Sequence, residues 1–182
     1  NLEVIQADIL KFDFGSLPKN YKVVANIPYY LTSNLLRQLC ESLNPFSQAA
    51  LLVQKEVAER VAANAGQTSL LSISVQFYAQ VELGRVVPAS LFEPPPKVDS
   101  QILKLTYRNE PLFPEVDSKK FFRLVKAGFS ERRKKLRSSL SGGLGITKDE
   151  AEALMQEAKI DPNLRAQALS LDDWHRLYKA TA

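Results

Sequence analysis

Up to about Asn109, short β-branched runs alternate with stretches whose apolar residues recur at helical spacing. Leu2–Gln6, Lys22–Ala25, Ala49–Val53, Gln80–Val87 and Gln101–Tyr107 read as strands. Ser33–Glu41 reads as a helix with Thr32 or Ser33 as its N-cap, and Lys55–Ala63 as a second helix. The stretch TSLLSISVQFYAQ fits both periods, since Leu71, Val75 and Tyr78 suit a helix and Ile73, Val75 and Phe77 a strand; helix is the preferred reading. Such alternation predicts an α/β sheet covered by helices.

Past RNEPLFPEVDS the pattern changes to short helices with legible starts. Thr147 and Glu150 form a capping box, Asp161-Pro162 reads as an N-cap followed by an N1 proline, and Ser170 with Asp173 opens a last helix carrying Leu171, Trp174 and Leu177. The pattern predicts two domains, residues 1–109 and a small all-α domain over residues 110–182, with the boundary near Asn109–Pro114. SGGLG, Ser141–Gly145, ends one helix and precedes a capped one, so it reads as a helix terminator and not as a phosphate cradle.

Charge sharpens this division. The formal charge is only +4, yet Lys119–Arg137 holds nine Lys or Arg against one acid, Glu131, which suits a polyanionic partner. One cysteine, Cys40, and one histidine, His175, leave no intrachain disulfide and argue against a metal cluster. Cys40 is expected to be a small buried helix residue and His175 a surface or interface residue beside Trp174. That cysteine usage suits a reducing, cytoplasmic setting, and no apolar run approaches the roughly 20 residues of a membrane span, so no membrane association is expected. The chain begins at Asn1 in what reads as a strand already under way, which leads us to expect residues upstream.

The segment VVANIPYYLTSNLL places Asn26, Ile27, Pro28 and Tyr29 directly after a strand, where open α/β sheets present ligand-binding groups. An amide oxygen at Asn26 and the backbone carbonyl of Pro28 are two acceptors, and Tyr29 is a flat ring. That set suits the exocyclic amine of adenine. The amine lone pair is delocalised into the ring, so acceptors on its two N–H groups help to free and aim it, while the aromatic side chain stacks on a base flipped out of its helix. Tyr30 is expected to be packed.

NIPY resembles the N-[IL]-P-[YF] motif of S-adenosylmethionine-dependent adenine N6-methyltransferases. QADIL at Gln6–Leu10, LLVQKEVAERV at Leu51–Val61, FEPPPKVDS at Phe92–Ser100 and AGFSERRKKLRSSL at Ala127–Leu140 resemble, in order, further segments of the KsgA-type RNA adenine dimethyltransferases. On these segments the chain is identified as a member of the bacterial small-subunit rRNA adenine N6-dimethyltransferases.

The resemblance implies the C-terminal part of a Rossmann-like methyltransferase sheet plus a helical RNA-binding domain. It implies S-adenosylmethionine as cofactor, held by Asp8, Ile9 and Asn26, and a catalytic set of Asn26, Pro28, Tyr29 and Phe92. Phe92 would stand opposite Tyr29 as the second wall of the base pocket, on a loop that its three prolines make stiff and extended. Lys97 would meet phosphate, as would Arg132, Arg133, Lys134, Lys135 and Arg137, expected on one helix with Leu136 and Leu140 turned inward.

The implied partner is small-subunit rRNA in the immature ribosomal subunit, with two adjacent adenines near its 3′ end as substrate and a monomeric enzyme. The family's glycine-rich cofactor loop has no counterpart here, so weak cofactor binding and little activity are expected of these 182 residues alone. Where the family has a YG.LSV stretch this chain has QTSLLSISV. The competing readings are a large-subunit rRNA adenine dimethyltransferase conferring antibiotic resistance, and a non-catalytic RNA-binding assembly factor.

Overall fold

Four strands and seven α-helices emerge from these patterns in the computed structural model, which describes residues 1–181. The strands are β1 (Lys22–Asn26), β2 (Gln48–Gln54), β3 (Ala79–Val87) and β4 (Ser100–Tyr107). Their order in the sheet is β1-β2-β4-β3. β1 and β2 run parallel with Asn26 opposite Leu52, whereas β4 runs antiparallel to both its neighbours. The helices up to Asn109 are α1 (Thr32–Glu41), α2 (Lys55–Val61) and α3 (Leu70–Tyr78), so the ambiguous stretch is helical over Leu70–Tyr78, as preferred, and its last two residues begin β3.

Periodicity explains the burial. In α1 the residues Thr32, Leu35, Leu36, Leu39 and Cys40 form the stripe at i, i+3, i+4, i+7 and i+8, and all are buried. Ala49, Leu51 and Val53 alternate inward on β2 and meet Leu105 and Leu103 of β4 on the same face. Burial pushes the Cys40 thiol up to about 12, with the Glu41 charge adding to the shift, so this cysteine is inert packing as expected.

The opposite face of the sheet is less covered. Val24 is 86% exposed, and Lys22, Val24, Ala50 and Lys104 line a shallow cleft of about 380 Å³. Among the described residues β1 exchanges ladder hydrogen bonds with β2 on one side only.

The chain divides into two compact units. One comprises Asn1–Glu59 and Tyr78–Asn109, and the other Arg60–Phe77 and Glu110–Ala182. The helical unit adds α4 (Ser118–Gly128), α5 (Leu136–Leu144), α6 (Lys148–Glu157) and α7 (Leu171–Ala180). Packing therefore takes residues 60–77 into the helical unit. Gly66 N–H (3.1 Å) and Thr68 N–H (3.1 Å) both donate to the Gln167 carbonyl, and the Phe77 ring stacks on Phe121 with centroids 4.9 Å apart. Inside that unit Trp174 is fully buried against Gly128, where an added Cβ would fall 2.3 Å from the indole.

The capping boxes at Thr147/Glu150 and Ser170/Asp173 are present. Gly145 ends α5 in the left-handed region (φ 73°), its N–H bonded to the Ser141 carbonyl at 3.0 Å, so SGGLG is a terminator.

Five local expectations are corrected. Leu2–Gln6 forms no strand: among the described residues no neighbour pairs with it, and Leu2 and Val4 are each 85% exposed. Neither Thr32 nor Ser33 caps α1, because a 3₁₀ turn at Tyr29–Leu31 feeds helical backbone straight into Thr32, and a capping residue needs extended backbone. Asp161-Pro162 opens a turn in place of a helix, with the Asp161 carboxylate accepting from Asn163 N–H at 2.8 Å. Tyr30 is 83% exposed and packs in no core. The proline run bends at Phe92–Pro94 and holds a cis Glu93-Pro94 bond; prolines fix φ and leave ψ and the peptide isomer open.

Candidate active site and nucleic-acid interface

The ladder between β1 and β2 extends one residue beyond the strand, with Ile27 N–H donating to the Leu52 carbonyl at 3.2 Å. Strand alternation then sets the orientation of the NIPY segment. Asn26 faces out, Ile27 is buried at 3% exposure, Pro28 faces out and Tyr29 is half-buried. Pro28 (φ −53°, ψ 129°) turns the chain into the 3₁₀ turn, whose Leu31 N–H donates to the Pro28 carbonyl at 2.9 Å. A carbonyl oxygen has two lone pairs, so one remains for a ligand. The Asn26 amide makes no side-chain hydrogen bond among the described residues and is presented at the carboxyl end of β1.

Tyr29 is held from the far side. Its hydroxyl lies 2.9 Å from the hydroxyl of Ser100, the first residue of β4, which is 1% exposed. Ser100 stands opposite Gln54 at the same edge of the sheet as Asn26. The preceding residue anchors the loop between β3 and β4. The Asp99 carboxylate accepts from Ala89 N–H (2.9 Å), and its carbonyl accepts from Lys55 N–H (3.0 Å) at the start of α2. Asp99 and Ser100 thus have structural roles that the FEPPPKVDS signature contained without revealing. Polar residues at the threshold of an apolar strand were the available signal.

Phe92 is half-buried on this loop, its N–H bonded to the Ala89 carbonyl at 3.2 Å, and Lys97 is exposed. Among the described residues Phe92 and Tyr29 make no ring contact with each other. Asp8 caps the short turn Ile9–Lys11 by accepting from Leu10 N–H at 3.0 Å. Asp8 is exposed and Ile9 is 37% exposed. With one carboxylate oxygen in the cap, the other is available to an amine donor, which fits the adenine end of a nucleoside cofactor.

The basic residues are arranged differently from expectation. Arg132, Arg133 and Lys134 lie in a turn between α4 and α5, not on a helix, and all three are exposed. A continuous helix would set Arg132 beside Lys135, Lys134 beside Arg137 and Arg133 beside Arg137, like charges at i+3 and i+4. The chain instead leaves α4 with Ser130 Oγ donating to the Ala127 carbonyl (2.7 Å) and re-enters α5 with Leu136 N–H on the Leu164 carbonyl (2.7 Å). Lys135 precedes α5 and donates to Asn163 Oδ1 at 2.6 Å. Arg137 is on α5, paired with Glu152. Leu136 and Leu140 are fully buried, as their spacing predicted.

His175 lies under the Phe113 ring, with centroids 3.9 Å apart, and bonds to Glu115 at 2.7 Å. Lys179 pairs with the same carboxylate at 3.1 Å. Glu115 is lowered to about 2 by a backbone hydrogen bond at its own residue, with side-chain hydrogen bonds from Lys179 and His175 adding to the effect. Among the described residues no group of His, Cys, Asp and Glu could hold a metal ion, and no helix is long and apolar enough to cross a membrane.

A mixed α/β sheet presenting an amide, a carbonyl and a tyrosine at one strand end, joined to a helical part, defines a Rossmann-like methyltransferase fold. A crystal structure of a dimethyladenosine transferase from Plasmodium falciparum superimposes with a TM-score of 0.79 at 28% identity, covering 97% of this chain and 71% of that one. That of the 23S rRNA methyltransferase ErmE does so with a TM-score of 0.73 at 25% identity, covering 98% and 71%. The family model for ribosomal RNA adenine dimethylase matches residues 1–182, and this chain belongs to that family.

Among its relatives, the ribosomal RNA small subunit methyltransferase A of Dehalococcoides mccartyi is 42% identical over 180 residues, 97% of this chain and 62% of that protein. The protein of the same name from Streptococcus thermophilus is 41% identical over 192 residues, covering 99% and 66%. The chain therefore spans a little under two thirds of the length of the relatives it matches.

Proposed function

We propose that the chain forms the target-base and RNA-binding part of an S-adenosylmethionine-dependent enzyme that dimethylates N6 of two adjacent adenines near the 3′ end of small-subunit rRNA. The observation that carries this is the NIPY segment. The unengaged Asn26 amide and the open lone pair of the Pro28 carbonyl stand beside a tyrosine whose hydroxyl is fixed on Ser100. The relatives above, named as small subunit methyltransferases at 41–42% identity, support the small-subunit choice over the large-subunit one.

Asn26 Oδ1 and the Pro28 carbonyl accept the two N–H groups of the adenine amine, which orients its lone pair and raises its nucleophilicity. Tyr29 and Phe92 stack on the base and hold it flat. S-adenosylmethionine, when bound, supplies an electrophilic methyl group, and Asp8, Ile9 and Asn26 are the residues of this chain that would hold it. Lys97, Arg132, Arg133 and Lys134 contact phosphate and orient the RNA without reading sequence. Lys135 and Arg137 join that surface, with part of their capacity spent on Asn163 and Glu152. The enzyme would act as a monomer on the immature small subunit in the cytoplasm.

The test is methyl transfer to a hairpin carrying two adjacent loop adenines, measured after fusing the chain to the part of the D. mccartyi relative that it does not match. Asn26→Ala should lower kcat by roughly a hundredfold, as loss of one aimed polar contact does in other enzymes, with RNA affinity retained. Unchanged turnover would overturn the assignment. Support of subunit maturation by a catalytically dead variant would favour the assembly-factor reading instead.

A further inference from the structure

We propose that α4 carries a second phosphate-binding track, formed by Lys119, Arg123 and Lys126, which continues the RNA surface of the Arg132–Lys134 turn onto the helix before it. This deepens the RNA reading and rests on it. The three residues recur at i, i+4 and i+7, so they form one stripe about 10 Å long on a helix that rises about 1.5 Å per residue. All are exposed, and none forms an ion pair among the described residues.

The acids that precede the stripe in sequence are committed elsewhere, and Glu131, the acid that follows it, lies in the turn beyond α4. The Asp117 carboxylate caps α4 by accepting from Lys119 N–H (2.8 Å) and Lys120 N–H (3.1 Å), and Glu115 is shared by His175 and Lys179. The inward side of α4, with Phe121, Phe122, Leu124 and Val125, is buried, so the stripe cannot turn inward.

The ground beside the stripe is concave. Arg123 forms a wall of two clefts, one of about 430 Å³ with Lys119, Lys126, Ser130 and Gly143, and one of about 340 Å³ reaching Tyr178 and Thr181. Gly143 is the reason the first cleft has a bare floor. A Cβ there would lie 2.6 Å from Cα and Cβ of Ala127, so α5 meets α4 backbone to backbone and no side chain fills the gap.

A cleft edged by three unpaired cations and floored by helix backbone suits the diffuse charge of an RNA strand. At its end, α4 runs through Phe129, Ser130 and the acidic Glu131 into Arg132, Arg133 and Lys134, so the stripe is followed along the chain by the three cations of the turn. The negative end of the α4 dipole lies at Lys126, further favouring a cation there.

The experiment measures RNA affinity of the whole chain against salt, using an RNA stem-loop with two adjacent loop adenines. Each phosphate contact contributes about 0.7 to 0.9 to the slope of log affinity on log salt. Replacing Lys119, Arg123 and Lys126 together by Ala should lower that slope by about 2 to 3. The charge-conserving set Lys119→Arg, Arg123→Lys and Lys126→Arg should keep it.

A control removing three exposed lysines elsewhere, Lys19, Lys148 and Lys159, gives the same net charge and should leave the slope near the original. An equal fall in control and test, or no fall in a test variant that melts normally, would overturn the track. In those cases Arg132→Ala with Arg133→Ala would still lower the slope, leaving the RNA reading intact. Failure of the unsubstituted chain to bind RNA would remove that reading and the track with it.

Discussion

The hydroxyls of Tyr29 and Ser100 meet at 2.9 Å across 71 residues of sequence, tying the turn after β1 to the first residue of β4. One of the two rings assigned to the target base is thus positioned by a strand that contributes nothing else to the NIPY segment. Ser100→Ala removes the bond and keeps the aromatic ring itself, freed from that anchor. A hydrogen bond of this kind contributes about 0.5 to 1.5 kcal/mol net. Methyl transfer by the fused enzyme should fall by roughly three- to tenfold, and Tyr29→Phe should match it, because each deletes one side of the same pair. The double variant should be no worse than either single one, as a double-mutant cycle on kcat would show.

Gly128 lies where a methyl group would strike the Trp174 indole at 2.3 Å, in a helix end that is itself buried. Gly128→Ala forces the fully buried indole to move, and overpacking of this sort costs about 1 to 3 kcal/mol. Urea unfolding followed by Trp174 fluorescence should show the midpoint shifted down.

Arg137 and Arg132 differ in how much of their charge is left for the proposed RNA surface. Arg137 is about a third exposed and paired with Glu152, whereas Arg132 is an exposed turn residue. Arg137→Ala should lower stability by about 1 kcal/mol or less and lower the salt slope of RNA binding by less than Arg132→Ala does. Arg132→Ala should lower the salt slope by close to a full phosphate contact and leave stability nearly unchanged. Thermal melts and RNA titrations on the same two variants check the contrast.

Glu115 fixes a pH dependence. Its carboxyl is lowered from 4.5 to about 2, so its contribution is fully present above pH 4.5 and is lost as pH falls through about 2. The wild type should therefore melt higher than Glu115→Gln at pH 7, and the gap should close in acid. Melting curves between pH 7 and pH 2 measure it.

Elements set by local periodicity or local capping were legible in the sequence: the α1 stripe, the alternation in β2 and β4, the boxes at Thr147 and Ser170, and the Gly145 stop. What misled was context. Leu2–Gln6 has strand composition, but a strand exists only with a neighbour to share its hydrogen bonds. ERRKKLR has helical composition, but helix geometry would concentrate its like charges. Residues 60–77 sit between sheet elements in sequence, yet Thr68 and Phe77 tie them to partners more than forty residues onward. In the candidate site, NIPY could be read because its chemistry is local. The Tyr29–Ser100 bond could not, since nothing in either segment specifies the other.

Among the described residues β1 pairs on one side only, which bears on how these 182 residues, taken by themselves, behave in concentrated solution. An unpaired row of backbone donors and acceptors beside a bare valine at position 24 is a template for strand addition, and natural edges are usually blocked by charge, proline or a bulge. Here Lys22 is the one charged side chain on the strand. Self-association through this edge should grow with concentration and be slowed by Val24→Lys, making β1 the first place to look for the origin of any aggregate.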